Sequence, residues 1–152
     1  MMNNLFNSTF ETSLRILIIM SEYQDTHISA DTIAAIDFIS IYGAEFKISD
    51  TNLHGDNLFK FSEFTSRRTL VQQGVKKLVL QNLISVLPSK EGFTYRINSN
   101  GRKYINSFES NYAYSYKEMC HRARQYILNR AEKDVFKMIN EHSIRTLKRR
   151  GI

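Results

Sequence analysis

A single cysteine, Cys120, stands in 152 residues, so no disulfide can form within the chain and core burial has to hold the fold. That usage suits a reducing compartment and sets the expectation of a cytoplasmic protein. Long apolar runs are missing as well. The longest, Ile16–Met20, falls far short of the ~20 residues that cross a bilayer, and Met1–Thr9 has neither the basic nor the hydrophobic stretch of a secretory leader. The six glycines are dispersed, which excludes a Gly-rich loop cradling phosphate. The four histidines, His27, His54, His121 and His142, include no pair at helical i, i+4 spacing, and no carboxylate cluster resembles a metal-dependent nuclease site. No metal and no cofactor are therefore expected. Cys120 and His121 are neighbours, but neighbours on a helix point ~100° apart and cannot readily act as nucleophile and base. His54 and Asp56 lack a third, orienting group. These absences point away from an enzyme and toward a binding protein.

What is present is ample core material, with 42% hydrophobic and 12% aromatic residues, so the chain is expected to fold rather than remain disordered. The net charge of +6 is unevenly spread. Residues 1–88 carry seven Lys/Arg against nine Asp/Glu, and residues 89–152 carry fourteen against six. A basic C-terminal part suggests a polyanion or an acidic protein as partner, against the plainer reading of a solvated lysine-rich surface.

Asn7-Ser8-Thr9 offers helix caps, and the spacing predicts a central, strongly apolar helix over 9–23. Ser29 caps a second helix over 30–42, stopped by Gly43. From Ala44 to Phe64 the periodicity fails, and Asp50, Asn52, Gly55, Asp56 and Asn57 mark a long loop that reads as a contact element. A third helix is predicted over 66–81. Leu70, Val71, Gly74, Val75, Leu78 and Val79 form its apolar stripe, and Arg68, Gln72 and Lys76 recur every four residues beside Thr69, Gln73 and Lys77. Strands over 83–87 and 93–97, joined at Pro88–Gly92, make a hairpin, and a capped helix follows over 99–108.

Helix, strand, turn, strand and helix in this order resemble a winged helix-turn-helix domain. The stretch Val75–Val86, Tyr95-Arg-Ile-Asn and Asn100-Gly-Arg-Lys-Tyr-Ile carry that likeness. Asn82 stands where glycine is common, which is tolerable because Asn accepts a left-handed backbone. The fold expected is mainly α with a small β-hairpin, a winged-helix domain over 1–108 plus a C-terminal helical extension over 109–152. The segments Leu5–Leu17, Ile36-Asp37-Phe38, Leu53-His54 and Arg67–Gly74 are in addition similar to the small middle component of bacterial ABC-three-component systems, including the small subunit of Lamassu-type defence. That resemblance implies an adaptor joining an SMC-like ABC ATPase, which senses foreign DNA, to an effector, often a nuclease.

Two sets of site residues follow. Arg67, Arg68, Gln72, Gln73, Lys76 and Lys77, with Lys90 and Arg96 of the hairpin, are the candidate nucleic-acid face, because Arg and Gln reach base edges while Lys neutralises phosphate. An adaptor would use them on the backbone only, without sequence preference. His54, Tyr112, Tyr116, Met119, Arg122, Tyr126 and Met138 are the candidate partner-binding set. The apolar stripes over 112–127 and 128–142 either fold back onto the domain or form a docking arm or homodimer interface. The alternative function is a dimeric winged-helix transcription regulator reading an operator with the third helix.

Overall fold

Ser8 and Ser29 explain where the first two helices begin. A computed structural model describes residues 8–24, 26–53 and 63–149, the side chains of 143–149 apart. In it, Ser8 Oγ accepts from the Glu11 amide at 3.1 Å and Ser29 Oγ from the Thr32 amide at 3.0 Å. Helix α1 spans Thr9–Tyr23, strand β1 Ile28–Ser29 and helix α2 Ala30–Ile41. Every residue from Ile33 to Ile41 is buried, so α2 is the axis of the molecule, with polar groups admitted only where they find partners.

Helix α3 spans Glu63–Leu80, strand β2 Ile84–Ser89 and strand β3 Gly92–Ile97, followed by helices α4, Ser99–Asn106, α5, Asn111–Ile127, and α6, Glu132–Arg149. Asn82 closes α3 at φ 58°. Its amide bonds Val79 O, and that of Leu83 bonds Leu78 O, the paired bonds of a Schellman cap. The hairpin pairs Val86 with Tyr95 and turns at Lys90-Glu91, and β1 adds on the far side of β3, giving the antiparallel order β1-β3-β2. Asn98 caps α4 by accepting from the Gly101 amide at 2.9 Å. Gly101 itself is required by crowding, since a Cβ there would lie 2.2 Å from Leu83 O.

The result is mainly helical with a small three-stranded antiparallel sheet, a winged-helix-like fold as the sequence predicts. Three details differ. Strand β1 is absent from the sequence reading because two residues carry no periodicity, and only pairing with β3 makes them a strand. Helix α3 begins three residues early, at Glu63. The reading of Ala44–Phe64 as a contact loop also needs correction over its described parts. Asn52 Oδ1 accepts from the Ala44 amide, the Leu53 amide bonds Ile41 O, and Phe46 is buried with its ring 6.2 Å from Phe38. The segment 44–53 thus folds onto the chain's own core.

The C-terminal helices do the same. Tyr116, Cys120 and Ala123 of α5 join the central cluster between α1 and α2, while Val135, Met138 and Ile139 line the inner side of α6. No described helix is long and apolar enough to cross a membrane.

A candidate interaction surface on α3 and the hairpin

Helix α3 places charged and apolar groups on two sides, and the inner side accounts for part of the expected nucleic-acid face. Arg67 is buried. Its Nη1 donates to Asp37 Oδ2 at 3.1 Å and its Nη2 lies 3.5 Å from Glu63 Oε2. Asp37, also buried, accepts from Arg15 Nε at 2.9 Å and from the Tyr116 hydroxyl. One carboxylate therefore ties α1, α2, α3 and α5 together. Burial alone would raise the Asp37 pKa, but Arg15, then Arg67, and the bond from Tyr116 outweigh it and hold the carboxyl below its usual range. Burial pushes the Tyr116 hydroxyl and the Cys120 thiol well up.

Position 67 precedes Val71 by four residues and so falls on the apolar stripe, which is the signal that excludes Arg67 from a nucleic-acid face. Arg68 is half-exposed but engaged. Its Nε and Nη2 each reach Asp31 at 3.1 Å, and its guanidinium lies 5.0 Å over the Phe136 ring. Glu132 of α6 accepts from Ser29 and Thr32 at the start of α2, so this neighbourhood anchors α6.

Gln72, Gln73, Lys76 and Lys77 are exposed on α3, Lys90 is exposed at the hairpin tip, and Arg96 is half-buried on β3. Lys76, Lys77 and Lys90 have no ion-pair partner among the described residues. Phe64–Phe108 contains eight Lys/Arg and one acid, Glu91.

Beside Lys76 lies a feature the sequence reading missed. Leu80 is 87% exposed, Phe93 61% and Val86 43%. With Lys76, Val79 and Tyr95 they line an open groove of about 430 Å³ between the end of α3 and the hairpin. Leu87, 48% exposed, projects from the opposite face of β2. The available signal was an apolar residue at both 86 and 87, since one of two successive strand residues must face away from the helices. A second exposed aromatic group lies elsewhere, Phe10 and Tyr104 flanking Phe108 with ring centroids 6.0 and 5.2 Å away.

The partner-binding set divides differently from expectation. Tyr116, Met119 and Met138 are buried by this chain, so they are not an available docking stripe. Their helical spacing reflects folding back onto the core. Tyr112 and Tyr126 are half-buried, the latter 6.0 Å from Phe46. Arg122 is exposed, bonded to Glu118 and donating to Ile48 O. His54 lies outside the described residues. No group of His, Cys, Asp and Glu suited to a metal occurs among the described residues.

Compared with known proteins, the chain matches the family model of the ABC-three component (ABC-3C) system Middle Component 2 over residues 5–149. No curated protein and no solved structure matches it.

Proposed function

The chain belongs to the ABC-three component system Middle Component 2 family, and from that premise we propose that it is a non-catalytic adaptor joining an SMC-like ABC ATPase to a nuclease-like effector in a Lamassu-type defence complex. The observation that carries the reading is the family match over nearly the whole chain. The surface agrees with it. Two groups of exposed apolar side chains, one at the α3–hairpin groove and one where Phe10 and Tyr104 flank half-buried Phe108, offer the two contacts that joining requires. Foreign DNA is held by the ATPase in this reading. The adaptor's lysines contribute an electrostatic attraction to phosphate without reading sequence.

The test is recovery of the tagged chain from a cell expressing it with its genomic neighbours. The expected result is an ABC ATPase and an effector recovered together with it, in defined ratio. Recovery of the chain free of both, combined with binding of one palindromic DNA site about a thousandfold or more above random DNA, would replace the adaptor with a transcription regulator.

A further inference from the structure

We propose that the groove between the end of α3 and the hairpin is the docking site for an acidic amphipathic helix of a partner protein, apolar side chains entering between Leu80 and Phe93 and carboxylates meeting Lys76 and the other exposed lysines of α3 and the hairpin tip. This rests on the adaptor reading and specifies one of its two contacts. The floor of the groove is apolar, formed by Val79, Leu80, Val86, Phe93 and Tyr95, and Lys76 stands at its side. An isolated exposed leucine needs no explanation, but three large apolar residues exposed around one groove mark an interaction site.

Charge identifies the occupant. Arg67 and Arg68 are already paired with Asp37, Glu63 and Asp31, but Lys76, Lys77 and Lys90 have no ion-pair partner among the described residues, so the chain leaves these exposed lysines unneutralised. A second copy of the chain would bring the same positive face and be repelled. A basic segment is excluded for the same reason. Duplex DNA would meet the lysines but leave Leu80, Phe93 and Val86 against phosphate, where they gain nothing. A strand added to the edge of β2 is disfavoured because Pro88 has no N–H to offer it and the exposed apolar groups point into the groove rather than along the edge. A helix with apolar residues at i, i+3 and i+4 fits a groove flanked by a helix and a hairpin.

The assay uses the full chain co-expressed with its neighbouring gene products, with p-benzoylphenylalanine replacing Leu80 or Phe93 for photo-cross-linking and mass spectrometry. The expected product is a cross-link to one helical segment of a co-purifying component with Asp and Glu in excess of Lys and Arg. Leu80→Asp and Phe93→Asp, both at exposed positions, should retain the wild-type melting temperature and lower affinity for that component at least about tenfold. Cross-links to a basic segment, to a second copy or to nucleic acid overturn the proposal, as does unchanged affinity in both variants. Failure of the adaptor reading looks different: the wild-type chain then recovers neither the ATPase nor the effector. Loss of the groove contact alone leaves the second component bound.

Discussion

Replacing Asp37 by Asn tests whether one buried carboxylate holds the helices together. The substitution keeps the volume and removes the charge, leaving Arg15 and Arg67, whose side chains are 2% and 5% exposed, as cations facing an amide. Breaking a buried ion pair by removing one partner costs about 3–5 kcal/mol. Glu11, 3.8 Å from Arg15, and Glu63, 3.5 Å from Arg67, retain some compensation, which places Asp37→Asn near the lower end, about 3 kcal/mol. In a domain of this size that lowers the melting temperature by about 6–12 °C. The assay is thermal unfolding followed by circular dichroism at pH 7, and a loss under about 1 kcal/mol would refute the reasoning. The acid limb gives an independent check. The Asp37 pKa is depressed in the folded state, so its contribution is present above its unfolded value near ~4 and disappears as pH falls through the folded value. Wild type and variant should therefore converge below that range. Replacing the whole group, with Arg15→Met, Asp37→Leu, Arg67→Met and Tyr116→Phe together, should recover most of the lost stability, because an apolar cluster of similar volume carries no desolvation cost.

Burial raises the Glu11 pKa despite Arg15, so the ionised carboxylate is a liability at neutral pH, where Glu11→Gln should leave the urea midpoint unchanged or higher; a lower midpoint at pH 7 would contradict this. The Cys120 thiol, buried and pushed up by that burial, should react with a disulfide reagent only as fast as the protein opens, and rapid labelling in native buffer would refute it. Gly101→Ala places a methyl 2.2 Å from a backbone oxygen and should cost at least about 1–3 kcal/mol by urea unfolding, whereas an unchanged midpoint would show that α4 can slide. Arg68→Ala removes the Asp31 pair and the contact with Phe136, together about 1 kcal/mol, so amide exchange over Glu132–His142 should accelerate about fivefold while α2 keeps its protection. Uniform acceleration across the chain would refute a local anchor.

Much of the fold is legible in the sequence because caps and stripes are local. Ser8, Ser29 and Asn98 mark helix starts by side-chain chemistry that needs no tertiary context, and Asn82 marks a stop in the same way. What escapes is decided by distant partners. Strand β1 exists through Tyr95 and Thr94, far along the chain. The i, i+4 relation to Val71 puts Arg67 on the apolar stripe, but the partner that lets it be buried there, Asp37, comes from another helix. Tyr116 and Met138 have a spacing that fits a docking stripe as well as a packed one, and only the neighbouring α1 and α2 settle which. The groove was invisible for a related reason. Leu80, Val86 and Phe93 belong to three different elements, and their convergence depends on how the hairpin packs beside α3.

The residues that tie the helices together and those that line the α3–hairpin groove occupy different parts of the molecule. Arg15, Asp37 and Arg67 lie within the segments carrying the resemblance, and all three are buried in the group that joins α1, α2 and α3. They bond α3 to α2, and through Asp37 to α1. Arginine suits that place because a planar fork can serve two carboxylates at once, as Arg67 does with Asp37 and Glu63. The outer face uses lysine, a solvated point charge on a flexible stem that can follow a partner's carboxylates without a fixed geometry. Leu80, Val86 and Phe93 are exposed and take no part in the buried group. The buried group therefore serves the scaffold, while the groove that the scaffold holds open is left to meet a partner.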